Sequence, residues 1–178
     1  MGSTGMHTIH GEQQLQPEYR ELAREYARAV KEFFGDRLRS ICFFGSVVRG
    51  EATPESDLDV LIVAEKLPKD IGLRVREILP VHEELVHSEA YRRLRSLRRS
   101  AFVSEIILTP EEVRTHPPIM LDMTQDASIV YDKDGFLKSV LDDMRRRLNE
   151  LGARKVQAKK GYYWVLKPDA RLDEVVEV

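Results

Sequence analysis

Two carboxylates stand two residues apart at the start of an apolar run, Asp57-Leu58-Asp59-Val60-Leu61-Ile62-Val63. The run is short, branched and free of Gly and Pro, which reads as a buried β-strand. Side chains two apart on a strand share a face, so Asp57 and Asp59 project together while Leu58 and Val60 pack on the other side. Two like charges about 4 Å apart repel by roughly 4 kcal/mol at an effective dielectric of about 20. A divalent cation offsets that repulsion. Oxygen ligands without His or Cys suit Mg²⁺ rather than zinc.

Upstream, the apolar stretch Ile41-Cys42-Phe43-Phe44 runs directly into Gly45-Ser46, and ten residues separate Ser46 from Asp57. Gly45 permits a sharp turn and a close approach to a ligand. Ser46 can open a helical turn, whose free N–H groups and positive dipole end favour phosphate. Arg49 lies one turn on, on the same side as Ser46, within reach of a phosphate oxygen. One loop thus offers anion-binding groups and the next strand offers metal ligands, a combination suited to a Mg-bound nucleoside triphosphate.

With Gly45-Ser46, a ten-residue spacer containing Arg49-Gly50-Glu51-Ala52 and Ser56, and then Asp57-Leu58-Asp59, the chain resembles the DNA polymerase β-like nucleotidyltransferases. It is most similar to the small branch called minimal nucleotidyltransferases. The signature spans about 20 residues, and a weaker likeness in element order reaches Leu151. The resemblance implies an α+β fold, a mixed β-sheet flanked by helices. It implies two Mg²⁺ ions held by Asp57 and Asp59, ATP as substrate, and phosphates held by Gly45, Ser46 and Arg49. It also implies a third carboxylate on a later neighbouring strand. Glu105 in Phe102-Val103-Ser104-Glu105-Ile106-Ile107-Leu108 is the candidate for metal binding and catalysis, where the family more often carries Asp; an edge-strand surface Glu is the other reading. Transfer of AMP to a tyrosine of a HEPN-type toxin, with this chain as the antitoxin, follows from the same resemblance. Transfer to a small-molecule hydroxyl, or a partner-sequestering module without turnover, are the alternatives.

The elements that must position these groups are legible in outline. Pro17 to Phe34 has helical apolar spacing through Leu22, Tyr26, Ala29, Val30 and Phe33. Strands are expected over Leu38–Phe44, Asp57–Val63, Phe102–Leu108 and Ser128–Tyr131. Asp70 and Ser88 are expected to cap helices near Ile71–Glu84 and Glu89–Arg99. Pro110 opens a short helix over Glu111–His116, Ile119 to Thr124 forms a helical turn, and Phe136 to Leu151 is a long amphipathic helix. Residues 1–10 read as a leader, 11–152 as the nucleotidyltransferase domain, and 153–178 as a C-terminal hairpin and tail. That hairpin carries the single tryptophan, Trp164, beside Tyr162 and Tyr163, a partner-docking surface or an apolar closure over the sheet.

A chain of 178 residues, 42% hydrophobic, can bury a substantial core. Its net charge of −2 gives no bulk attraction to nucleic acid, and a membrane partner is not expected. One cysteine, Cys42, excludes internal disulfides and Cys-rich metal sites, consistent with a reducing cytoplasm. Arg92, Arg93, Arg95, Arg98 and Arg99 spread round a helix and read first as a solvated face. Asp132-Lys133-Asp134-Gly135 is a turn rather than a calcium loop. Asp122 and Asp126 could supplement the site, though a cap suits them better. His82 and His87 are spaced poorly for a shared ligand and are assigned surface or capping roles.

Overall fold

The computed structural model describes residues 14–159, 161–170 and 176. The expected leader over 1–10 lies outside the described residues, as does most of the chain after Ala170. Strand β1 (Leu38–Phe44) pairs antiparallel with β2 (Leu58–Ala64). β3 (Val103–Leu108) runs parallel to β2, and β4 (Ser128–Asp132) antiparallel to β1. The resulting mixed sheet has the order β3-β2-β1-β4.

Strand alternation divides the interior into two cores. Leu58, Val60, Ile62 and Ala64 pack with Leu22, Tyr26, Val81, Leu85 and Leu94. These belong to α1 (Arg20–Phe34), α4 (Leu79–His87) and α5 (Glu89–Ser96). Leu61 and Val63 pack with Val113, Met120, Leu137 and Leu141 on the other face. Those come from α6 (Pro110–Arg114), α7 (Met120–Asp126) and α8 (Phe136–Glu150). Each fully buried aliphatic side chain contributes roughly 1.5–3 kcal/mol. The central strands β1 and β2 are covered on both faces, which explains their nearly unbroken apolar sequence.

Caps fall where the sequence places them. Asp70 Oδ1 accepts the Leu73 N–H at 3.0 Å, and Ser88 Oγ accepts that of Tyr91 at 3.1 Å. Thr109 and Glu112 form a reciprocal capping box. Asp132 accepts the Leu137 and Lys138 N–H groups and the Ser40 hydroxyl, so it anchors the start of α8. The helix expected over 71–84 is two, α3 (Ile71–Glu77) and α4, broken at Ile78. Pro80 is the cause: it has no N–H to donate to the carbonyl four residues back, so it is tolerated only in a helix's first turn. α5 likewise stops at Ser96, short of Arg99, and Arg98 turns left-handed (φ 56°).

Arg74 is buried. Its guanidinium donates to the carbonyls of Pro68 and Ile107 and grips both oxygens of Glu112 at 2.7 and 2.8 Å. It ties α3 and α6 to the edge strand β3. At the C-terminal end, β5 (Arg154–Gln157) and β6 (Tyr162–Val165) form the expected hairpin. Asp122 of α7 holds it, accepting from the Tyr162 hydroxyl at 2.6 Å and Trp164 Nε1 at 3.1 Å, with Lys155 Nζ at 3.2 Å. Trp164 packs against the second core, whereas Tyr163 stays 54% exposed, so the hairpin closes the sheet with one aromatic and leaves another outside. Among the described residues no helix is long and apolar enough to cross a membrane.

Candidate active site

The strand directions bring the C-terminal end of β1 and the N-terminal ends of β2, β3 and β4 to one end of the sheet. At that end β1 passes into Gly45, with φ 77° and ψ −157°, and then into the four-residue α2 (Ser46–Arg49). Phe44 is paired with Asp59 across the strands. A Cβ on Gly45 would overlap Asp59 Oδ2 and lie 3.2 Å from Asp59 Cγ. Both the positive φ and the neighbouring carboxylate therefore require glycine here.

The turn is held firmly. Gly45 O accepts the N–H groups of Val48 and Arg49, Ser46 O accepts that of Glu51, and left-handed Gly50 ends the helix. Val47 is fully buried, and its carbonyl accepts the Gln16 N–H at 3.1 Å. Ser46 stands at the first helical position, beside the N–H groups that a helix's own first turn cannot satisfy.

Asp59 lies on the sheet face of Leu61 and Val63, and Asp57, two residues earlier, precedes the strand on the same side. Ser100 Oγ donates to Asp57 Oδ1 at 2.9 Å. Ser104 is the register partner of Asp59 and favours the charged form of its carboxyl. Burial pushes the Asp59 carboxyl above its usual range, the charge of Asp57 pushes it further, and Ser104 and Arg49 oppose both. The two carboxylates thus share one side of the sheet, close enough for the charge of Asp57 to oppose the ionisation of Asp59.

Glu105 is not with them. Its register partner is Val60, which puts it on the opposite face of the sheet. There the Tyr26 hydroxyl donates to Glu105 Oε1 at 2.7 Å, and His82 Nε2 lies 2.6 Å from the same oxygen. The expected third carboxylate is therefore corrected. An odd step along β3 reverses the face, and the residue beside Asp59 is Ser104. His82, expected at the surface or in a cap, is instead this buried acid's partner.

Arg49 Nε bonds Glu51 at 2.8 Å, and Arg49 Nη1 lies 3.7 Å from Asp126, which in turn lies 3.9 Å from Lys155 Nζ. Burial raises the energy of the Asp122 carboxylate, but its bonds from Tyr162, Trp164 and Lys155 prevail and hold its pKa below the usual value. The hydrogen bond to Asp122 pushes the Tyr162 phenol up to about 12. Burial pushes the Cys42 thiol up to about 12, which leaves it unreactive.

The donor set fits a hard divalent cation: two adjacent carboxylates, oxygen only, one carrying a pKa raised by burial and further by its neighbour's charge. Among the described residues no cluster of three His, Cys, Asp or Glu side chains forms a self-sufficient metal cage. Mg²⁺ commonly completes such a shell with water and substrate phosphates. Sequence reasoning missed Ser100 and Ser104, because each becomes a neighbour only through strand register and the loop before β3, whereas Asp126, weighed there as a supplement to the site or a cap, lies beside Arg49.

A mixed sheet that ends in a glycine turn beside paired aspartates defines a nucleotidyl-transferring class of protein. A family model described as a nucleotidyltransferase domain matches residues 23–110. "Putative protein adenylyltransferase MJ1305" of Methanocaldococcus jannaschii is 29% identical over 123 residues, 68% of this chain and 77% of the relative. The archaeal relative of the same description numbered MJ1379 is 38% identical over 73 residues, 33% of this chain and 71% of its own length. The chain belongs to the nucleotidyltransferase family. A solved toxin–antitoxin structure with AMP-PNP aligns with 72% of this chain and 91% of its own, at 12% identity and a TM-score of 0.42.

Proposed function

We propose that the protein transfers AMP from ATP to a hydroxyl of a protein partner, a HEPN-type toxin tyrosine being the acceptor that the sequence resemblance implies. The observation that carries the proposal is the meeting of Gly45 with Asp59, which sets the glycine-serine turn against the carboxylate pair. The relatives' description as protein adenylyltransferases supports the choice of AMP and of a protein acceptor.

Gly45 lets the triphosphate approach the backbone, Ser46 and the first N–H groups of α2 hold its outer phosphates, and Arg49 exchanges a carboxylate for a phosphate oxygen. Asp57 and Asp59 would hold Mg²⁺. When bound, Mg²⁺ neutralises both carboxylates and polarises the phosphoryl oxygens. The acceptor oxygen forms a bond to the α-phosphorus, the bridging bond to the β-phosphate breaks, and pyrophosphate leaves with that electron pair. The hydroxyl proton passes to water. Ser100 fixes the orientation of Asp57, and Ser104 stands beside Asp59 and favours its ionised form. A single deeply buried thiol suits a reducing cytoplasm.

The test uses ATP labelled at the α- or at the γ-phosphorus, with Mg²⁺ and the protein encoded beside this one. Label from the α-position alone, covalently retained on the partner, supports the proposal. Transfer that persists undiminished in Asp57→Asn would falsify it. The confinement of Glu105 to the other face favours one second reading, a module that sequesters its partner without turnover. A stable complex with no label from either position would select that reading.

A further inference from the structure

One wall of the carboxylate pair faces solvent with an unusual composition. It is the connection from α5 to β3. Ser100 anchors it to Asp57, the Ser100 N–H bonds Pro54 O at 2.6 Å, and Phe102 O accepts the Leu58 N–H at 3.0 Å. Its fixed backbone places Phe102 next to the strand that carries both aspartates. Yet Phe102 is 60% exposed and Leu97 is 52% exposed. Two large apolar side chains in water beside a reaction centre lose favourable burial unless something covers them.

The arginines around them are only partly neutralised. Arg93 pairs with Glu21, and Arg99 with Glu18. Arg92, Arg95 and Arg98 pair with no carboxylate among the described residues, and all three are exposed. Arg98 keeps a cationic side chain in left-handed backbone (φ 56°), where a helix end ordinarily carries Gly or Asn. In a chain of net charge −2 this is a local excess of positive charge on an apolar patch. Exposed aromatics bordered by arginine have the composition of an interface rather than of a solvated rim.

We propose that the face formed by Leu97, Arg98 and Phe102, with Arg92 and Arg95 beside it, docks the acceptor protein through an acidic segment that flanks the hydroxyl to be modified. The inference rests on the nucleotidyl-transfer reading for its chemistry, but the docking face can be tested by binding alone. An acidic neighbourhood on the partner is steered to this wall, apolar contact with Phe102 and Leu97 holds it, and the hydroxyl arrives next to Asp57.

Fluorescent random copolymers of Glu with Tyr and of Lys with Tyr serve as probes, read by anisotropy and by label transfer from ATP. The wild-type protein is expected to bind the Glu-Tyr copolymer at least about tenfold more tightly than the Lys-Tyr copolymer, and less so at high salt. Arg95→Glu with Arg98→Glu is expected to abolish or reverse that preference, Phe102→Ser to weaken binding several-fold, and neither to change the affinity for a non-hydrolysable ATP analogue. Equal binding of the two copolymers, or a preference that survives the double charge reversal, overturns the docking face. Absence of label on any acceptor with the binding preference intact counts against nucleotidyl transfer and leaves the docking face standing.

Discussion

Asp59 is the most constrained side chain of the site. Burial and the charge of Asp57 oppose its ionisation, while Ser104 and Arg49 favour it. Replacing Asp57 by Asn removes the repulsive partner and the proposed metal ligand at once. Turnover is expected to fall by about 10³-fold while the melting temperature stays level or rises, read by label transfer and calorimetry on the same sample. A comparable fall in stability would mean that Asp57 is structural. Gly45→Ala attacks the same centre from the other side. The new methyl group meets the Asp59 carboxylate and strains a positive φ, so kcat/KM should drop by about 10²-fold.

At the scale of elements, what the sequence reveals depends on whether the signal is local. The strand over 38–44, the Gly45 turn and the caps at Asp70, Ser88 and Thr109 are local, and each is found where its residue types place it. Glu105 shows the limit. Apolar content marks β3 as a strand, but only the pairing of Asp59 with Ser104 decides which residues share the aspartates' face. Arg74 shows another limit, since an arginine in a charged helix gives no sign that it will be enclosed between Glu112 and two carbonyls. Arg74→Met should cost about 2 kcal/mol, or roughly 4–8 °C in Tm, because it leaves those carbonyls and Glu112 without their donor. A loss below about 0.5 kcal/mol would place the ion pair among inconsequential surface contacts.

Across the whole molecule, the sheet separates two polar centres. The candidate site carries Gly45, Asp57 and Asp59 on one face, and Tyr26, His82 and Glu105 form a satisfied network on the other. The hydrogen bond to Glu105 raises the His82 pKa above 6.5 despite partial burial. A raised folded-state pKa gives stability that is fully present below the unfolded value, near 6.5, and is lost as pH rises through the folded value. Stability is therefore expected to decline over that interval on the alkaline side of 6.5, and His82→Gln should flatten the decline. Denaturant titrations at a series of pH values check this, and an unchanged slope in the variant would assign the decline to another group. The separation of the two centres also predicts that His82→Gln leaves the affinity for an ATP analogue as it is.

The glycine-serine turn and the aspartate pair are expected to form one site for a metal-bound triphosphate. Crystals grown with Mn²⁺ and a non-hydrolysable ATP analogue decide this, since anomalous scattering locates the ion. A Mn²⁺ peak is expected between the carboxylates of Asp57 and Asp59 and the phosphates, with the outer phosphates against Ser46 and the N–H groups of α2. A peak at Glu105, or a nucleotide seated away from Gly45 with Asp57 and Asp59 uncoordinated, would contradict it.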